Sequence, residues 1–167
     1  MAVEQSNRYI FLVDDEPIQN EMLKDYISER FQYKIKTYEN GESAIKDLHL
    51  EPEIVVLDFH LNSHQANAQN GVEVLKKIKD MKPEIQVIML SGQDKLDVAV
   101  DSMKHGAYDY VIKGETAFSR MENVLNNINE LSNVRSANTS YKKVITALYA
   151  ALGVMLLLSI FLVMKLK

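Results

Sequence analysis

The sequence contains no cysteine and no tryptophan, and only three of its 167 residues are proline. The lack of cysteine excludes disulfide bonds, thiolate metal sites, iron–sulfur clusters and thiol catalysis. Acidic residues outnumber basic residues by 23 to 19, which argues against a protein whose main task is to bind nucleic acid. Apolar residues make up 47% of the chain and charged residues 25%, which is typical of a globular protein rather than a disordered one.

Charge is unevenly distributed along the chain. All the acidic residues lie within residues 1–140, whereas residues 141–167 contain four lysines and no acid. Residues 144–164 carry no charge at all, and a helix of about 20 apolar residues is long enough to span the hydrocarbon core of a bilayer. We therefore expect a transmembrane helix at residues 144–164 that anchors the chain in a membrane.

The segments around this helix set the expected topology. Residues 132–143 form a short polar and basic linker, and residues 165–167 form a short tail. Because basic residues favour the cytoplasmic side, we expect a single-pass membrane protein whose N-terminal part faces the cytoplasm. The alternative, a helix buried inside a soluble domain, would need more surrounding chain than this sequence supplies.

Short apolar runs alternate with helical patterns over residues 1–131, which we assign to one domain. Apolar residues at helical spacing follow each run. The five runs lie at residues 9–13, 34–38, 54–57, 86–90 and 108–112. Five repeats of strand then helix predict an α/β fold of the doubly wound type, in which helices cover both faces of a five-stranded parallel sheet.

Polar side chains capable of chemistry follow four of these predicted strands. Asp14 and Asp15 follow the first strand, Asp58 the third, Ser91 the fourth and Lys113 the fifth. Because the carboxyl ends of parallel strands meet at one edge of the sheet, we expect these five residues to lie close together. Each residue alone is also typical of a helix terminus or a turn, so the prediction depends on their joint placement.

Such a group of side chains is suited to phosphoryl transfer. Three adjacent carboxylates repel one another unless a cation neutralises them, and Mg²⁺ prefers oxygen ligands of this kind. A carboxylate can attack phosphorus and form an acyl phosphate. The Ser91 hydroxyl and the Lys113 ammonium are suited to contact the phosphoryl oxygens. The sequence therefore predicts a magnesium-dependent phosphoacceptor site.

Four motifs make residues 8–131 similar to the response-regulator receiver domains of two-component signalling. They are FLVDDEP at 11–17, VVLDFHL at 55–61, VIMLSG at 87–92 and DYVIKG at 109–114. The resemblance implies a flavodoxin-like receiver fold in which Asp58 accepts a phosphoryl group from a histidine kinase or a histidine phosphotransfer protein. The ligands that it implies for Mg²⁺ are Asp14, Asp15, Asp58 and the backbone carbonyl of His60. It also implies that Tyr110 is an aromatic switch residue.

The sequence departs from the family pattern at three places. Gly114 stands where the family usually has a cis proline, Leu61-Asn62 replaces a Met-Pro pair, and the loop at residues 62–70 is longer than is common. None of these changes removes a chemical group, so we expect phosphorylation to persist. Switching and partner choice, which use these loops, are the properties that the changes affect.

We therefore predict a membrane-anchored single-domain response regulator that is not an enzyme. Its output would be protein binding, phosphorelay or phosphate buffering rather than DNA binding, through a downstream protein that the sequence does not identify. The alternative is a scaffold or adaptor at the membrane that acts without phosphorylation. A hydrolase of the haloacid-dehalogenase type is disfavoured, because DFHLN at 58–62 has no second aspartate two residues after the first.

Overall fold

The computed structural model describes residues 8–61, 70–92 and 96–165, with backbone alone at 135–140 and 156–163. Most of the long loop at 62–70 and the end of the predicted tail lie outside the described residues. The chain divides into two units, Met1–Val124 and Leu125–Lys167.

The described residues of the first unit form one parallel sheet of five strands in the order β2-β1-β3-β4-β5. The strands are β1 (Tyr9–Val13), β2 (Lys34–Tyr38), β3 (Ile54–Asp58), β4 (Gln86–Ser91) and β5 (Asp109–Ile112). The predicted five-stranded parallel sheet with flanking helices is confirmed. β3 and β4 each extend one residue beyond the predicted runs, so that Asp58 and Ser91 are the last residues of their strands.

Five α-helices follow the strands in the described ranges. They are α1 (Pro17–Arg30), α2 (Gly41–Lys46), α3 (Gly71–Met81), α4 (Leu96–Lys104) and α5 (Ala117–Lys165), and a 3-10 helix at Asp47–Leu50 continues α2. Asparagine side chains cap two of them: Asn40 accepts a hydrogen bond from Ser43 N, and Asn70 forms a reciprocal capping box with Glu73. These caps satisfy backbone donors that the first turn of a helix leaves free.

Apolar side chains cover both faces of the sheet. Alternate residues of the strands point to opposite faces, and β3 is buried along its whole length. One face packs in a cluster with α2 and α3 that includes Phe11, Val55, Leu57, Val74, Leu75 and Ile78. The intervening strand residues Ile10, Leu12, Val56 and Ile88 are buried as well. The sheet edge where the strands end is therefore held by a core on both sides.

The second unit, Leu125–Lys167, is helical over its described length as part of α5. Residues 132–143, which we predicted to be a linker, belong to this helix. In the described part of the chain no helix is long and apolar enough to cross a membrane. The predicted transmembrane helix at residues 144–164 is therefore not found, and the predicted single-pass membrane localisation is wrong.

The apolar run is part of a longer helix. The run is not an element of its own, because it continues a 49-residue helix that begins at Ala117. The length of the uncharged run therefore does not give the bounds of the helix that contains it.

Candidate functional site

The structure brings four of the predicted polar residues together at the carboxyl edge of the sheet. Lys113 Nζ lies 2.7 Å from Asp14 Oδ2 and 2.9 Å from Asp58 Oδ1. Carboxylate oxygens of Asp14, Asp15 and Asp58 all lie within 4.8 Å of one another. One ammonium and three carboxylates therefore share a small volume at the ends of β1, β3 and β5.

Asp58 is the most deeply placed carboxylate of this group. The residue is 3% exposed, and its Oδ2 accepts a hydrogen bond from the backbone N–H of His60 at 2.9 Å. Oδ1 faces Lys113, yet within the described residues it accepts no hydrogen bond of good geometry. Burial raises the pKa of Asp58, while the Lys113 ammonium acts in the opposite direction and Asp14 adds to the rise. The negative charge of the Asp58 carboxylate is therefore only partly compensated by nearby positive charge.

Asp14 is fixed from two directions. Its Oδ1 accepts a hydrogen bond from Glu16 N at 2.9 Å, and its backbone carbonyl accepts one from Asn20 Nδ2 at 2.8 Å. The Asn20 amide also donates to the carbonyl of Tyr38 at 3.2 Å. Asn20 is buried on the same face of α1 as Leu23. The sequence analysis did not single out Asn20, although a polar residue on the apolar stripe of a helix is the signal that would have found it.

Lys113 is held by its backbone as well as by its side chain. Its N–H donates to the carbonyl of Ser91 at 2.7 Å, so the end of β4 positions the residue that follows β5. Burial lowers the pKa of Lys113, but the contacts with Asp14 and Asp58 outweigh burial and the pKa is raised overall. Lys113 therefore stays an ammonium at neutral pH. Ser91 itself is fully buried beside it.

The three carboxylates fit a hard divalent cation. Each offers an oxygen, Asp14 and Asp58 are buried, and the charge of Lys113 leaves two of the three negative charges unbalanced. Oxygen ligands and an excess of negative charge suit Mg²⁺. No sulfur or imidazole ligand belongs to this cluster among the described residues, which disfavours a site for zinc or copper.

The structure also places the other predicted residues, His60 just after β3 and Tyr110 within β5. The His60 ring packs edge-on against Phe59 with ring centroids 4.7 Å apart, while its backbone N–H contacts Asp58. Tyr110 is partly buried against the apolar core of the sheet. No cis peptide bond is found in the described ranges, and a Cβ built on Gly114 would meet no described atom within 4 Å apart from its chain neighbours. The Lys113–Gly114 peptide is thus trans, unlike the family pattern noted above.

An apolar cavity of about 260 Å³ opens beside Lys113. The residues that line it come from α1, the end of β4, the segment after β5 and the start of α5: Gln19, Met22, Leu23, Leu90, Lys113, Gly114, Ala117, Phe118 and Met121. Met22 is 50% exposed at its rim. The polar cluster is therefore flanked by an accessible apolar surface.

Comparisons with known proteins agree with this geometry. The family model of the response regulator receiver domain matches residues 10–140. The nitrogen assimilation regulatory protein NtrX of Azorhizobium caulinodans is 31% identical over 105 residues, which cover 62% of this chain and 22% of NtrX. The chemotaxis protein CheY of Listeria monocytogenes is 30% identical over 105 residues, which cover 62% of this chain and 84% of CheY. The chain thus spans about a fifth of NtrX and most of CheY.

A solved structure shows the same likeness in three dimensions. The receiver domain of NtrX from Brucella abortus superposes with a TM-score of 0.64 at 29% sequence identity. The match covers 72% of this chain and 98% of that domain.

Proposed function

The chain belongs to the response regulator receiver family, and from this premise we propose that Asp58 accepts a phosphoryl group from a histidine kinase or a histidine phosphotransfer protein. Receiver domains are phosphoacceptor signalling domains that accept the group on an aspartate and bind Mg²⁺ at an acidic pocket. In this chain the acidic pocket contains Asp14, Asp15 and Asp58.

The contact between Lys113 and Asp58 is the observation that carries this proposal. Asp58 Oδ1 is buried, accepts no hydrogen bond of good geometry from the described residues and faces the ammonium at 2.9 Å. An oxygen in this position has a lone pair available for attack. The ammonium beside it is suited to offset the negative charge that accompanies an incoming phosphoryl group.

The proposed transfer is a displacement reaction at phosphorus. One Asp58 oxygen forms a bond to phosphorus while the bond between phosphorus and the donor's imidazole nitrogen breaks, and the imidazole leaves with a proton from water. Lys113 supplies a fixed positive charge on one side of the group. Asp14, Asp15 and Asp58 would hold Mg²⁺, which would supply further positive charge to offset that of the phosphoryl oxygens. Ser91 is suited to donate its hydroxyl to a phosphoryl oxygen.

The apolar cavity supports a protein donor. A phosphohistidine must come within bonding distance of Asp58, so the donor's surface has to cover the carboxyl edge of the sheet. The cavity beside Lys113 and the exposed side chains of Ile18 and Met22 lie next to that edge. We place the donor's apolar contact there, because burial of exposed apolar area drives such association.

The net charge of the chain bears on how the phosphorylated protein would pass on its signal. The excess of acid in residues 1–140 disfavours binding to phosphate backbones, so we propose signalling by protein binding, phosphorelay or phosphate buffering. Turnover is limited to slow hydrolysis of the chain's own acyl phosphate. We further propose that the His60 carbonyl completes the Mg²⁺ site and that Tyr110 responds to phosphorylation.

Mass spectrometry of the full chain after incubation with acetyl phosphate and Mg²⁺ tests the proposal. The expected result is the addition of one phosphoryl group, lost in Asp58→Asn and on removal of Mg²⁺. Asp80→Asn, on the exposed side of α3, is the matched control and should be phosphorylated normally. Failure of the wild-type chain to gain a phosphoryl group would leave a receiver fold that acts as a scaffold.

A further inference from the structure

Gly71, the first residue of α3, lies directly against the backbone of the residue that we propose as the phosphoacceptor. A Cβ built on Gly71 would lie 2.8 Å from Phe59 Cα and closer still to the carbonyl oxygen of Asp58. Both atoms belong to the backbone. A side chain at position 71 therefore cannot be accommodated by a rotamer change, and either α3 or the end of β3 would have to move.

Glycine is required here for space and not for backbone conformation. Among the described glycines only Gly106 has a positive φ, at 87°, so the backbone of Gly71 is open to any L-residue. The N–H of Gly71 also donates to the carbonyl of Phe59 at 2.9 Å. The close approach and the hydrogen bond together fasten the start of α3 to the residue that follows Asp58.

Neither α3 nor the end of β3 can move away from this contact without disrupting other packing. On the α3 side, Val74, Leu75 and Ile78 are completely buried, and the capping box between Asn70 and Glu73 fixes the first turn. On the other side, β3 lies inside the sheet between β1 and β4. The N–H of Phe59 continues this pairing by donating to the Leu90 carbonyl at 2.9 Å.

We propose that Gly71 is a positioning residue for Asp58: its missing side chain lets α3 support the backbone that directs the Asp58 carboxylate. That carboxylate is oriented by the N–H of His60, two residues further along the same backbone. A shift of the peptides at Asp58 and Phe59 therefore changes both the angle of the carboxylate and its distance from Lys113. The inference rests on the proposed function, since it assigns a role in metal binding and phosphorylation.

Gly41 supplies a matched control. It is the first residue of α2, it follows a capping asparagine as Gly71 does, and its Cβ would also clash, with the Val74 side chain. Gly41→Ala thus introduces the same methyl group at the same helix position with a comparable clash. The difference is that its clash is with an apolar side chain and not with the backbone of Asp58.

The test compares Gly71→Ala with Gly41→Ala in the full chain. Thermal unfolding measures stability, calorimetric titration measures Mg²⁺ affinity, and the His60 amide resonance in the metal-free protein reports the bond to Asp58. We expect both variants to lose stability. Only Gly71→Ala should bind Mg²⁺ at least tenfold more weakly, react at least tenfold more slowly with acetyl phosphate and shift the His60 resonance.

The outcomes separate the two proposals. Normal Mg²⁺ affinity and a normal His60 resonance in folded Gly71→Ala would overturn the positioning role, as would equal losses of affinity in both variants. A wild-type chain that binds Mg²⁺ but is not phosphorylated would contradict the proposed function alone. If Gly71→Ala does not fold, Asn70→Ala loosens the same turn by removing its cap. A two- to fivefold loss of Mg²⁺ affinity is then expected, and unchanged affinity would overturn the inference.

Discussion

Lys113 and Asp14 form an ion pair at 2.7 Å although 99 positions separate them in the sequence. The same ammonium lies 2.9 Å from Asp58. The side chains of the two aspartates are 6% and 3% exposed, and that of Lys113 is 20% exposed. One cation thus compensates two buried anions, which couples the stability of the fold to the chemistry of the site.

Replacing Lys113 by methionine should destabilise the metal-free protein. The change keeps most of the side-chain volume but leaves Asp14 and Asp58 buried without a compensating charge, at a cost of about 3–5 kcal/mol. Because Mg²⁺ supplies the missing positive charge, it should restore more stability in the variant than in the wild type. Urea unfolding with and without Mg²⁺ measures both effects.

An exposed ion pair provides the control for this experiment. Lys82 contacts Glu51 at 3.4 Å on the surface, and Lys82→Met should change the free energy of unfolding by less than about 1 kcal/mol, independently of Mg²⁺. If Lys113→Met lost no more stability than Lys82→Met, the account of charge compensation at the site would be wrong.

Asn20 should influence Mg²⁺ affinity without touching the ion. Asn20→Ala removes the donor to the Asp14 carbonyl and leaves a buried acceptor unsatisfied, which costs about 1–3 kcal/mol. Because that bond helps to fix Asp14, we also expect weaker Mg²⁺ binding in a calorimetric titration. Ser102→Ala is the control, since the buried Ser102 hydroxyl donates to the Val98 carbonyl within α4. It should lose stability and retain Mg²⁺ affinity; the same affinity in both variants would contradict the role of Asn20.

The sequence predicted those residues of the site whose position follows directly from the end of a strand. Asp14, Asp58 and Lys113 each stand at or just after the end of an apolar run, and parallel strands bring such ends to one edge of the sheet. Asn20 and Gly71 contribute through tertiary contacts. The amide of Asn20 reaches two carbonyls at the ends of different strands, and nothing in the local sequence around Gly71 indicates that Asp58 lies against it.

The C-terminal prediction failed for a related reason. The length of an uncharged run indicates a candidate span, but it does not show how the run is built into the fold. Here the run belongs to a helix that begins at Ala117. The bounds of that helix cannot be read from the hydropathy of residues 144–164, because polar residues at 132–143 are compatible with either a linker or a continuous helix.

A second charged cluster, around Asp47, predicts a pH dependence of stability. The ammonium of Lys36 and the hydroxyl of Tyr38 both contact Asp47. The hydrogen bond from Lys36, followed by that from Tyr38, lowers the pKa of Asp47. A group whose pKa is lowered in the folded state stabilises the fold above its unfolded pKa, near 3.9, and loses that contribution as the pH falls through the lower folded value.

Asp47→Asn should therefore have a lower unfolding midpoint than the wild type at pH 7. The difference should begin to narrow as the pH falls below about 4 and should close as the pH passes the lower pKa of the folded wild-type carboxyl, where that carboxyl takes up its proton. Urea unfolding over a series of pH values measures the difference in unfolding midpoint between the two proteins. Asp80→Asn, an exposed change on α3, is the control at pH 7, where it should change the unfolding midpoint only slightly. If the difference in midpoint between Asp47→Asn and the wild type were constant with pH, the ion pair would be excluded as the cause of that difference.

The last prediction concerns the apolar cavity. It distinguishes the docking of a protein donor from the phosphorylation reaction itself. Met22→Glu places a charge at the rim of the cavity, where a protein donor would have to bury it against an apolar surface. Since Met22 is 50% exposed, stability should change by less than about 0.5 kcal/mol. Phosphotransfer from histidine kinases that phosphorylate the wild type should fall at least tenfold, while acetyl phosphate, which needs no docking surface, should react at the wild-type rate.

Met81→Glu is the matched change away from the cavity. Met81 is 58% exposed at the end of α3 and does not line the cavity, so this variant should accept phosphate from both donors as the wild type does. Equal transfer to Met22→Glu and the wild type would show that the donor approaches Asp58 from another side. Slower reaction of Met22→Glu with acetyl phosphate would instead show that the added charge disturbs the cluster around Lys113, because a small donor meets only the reacting groups.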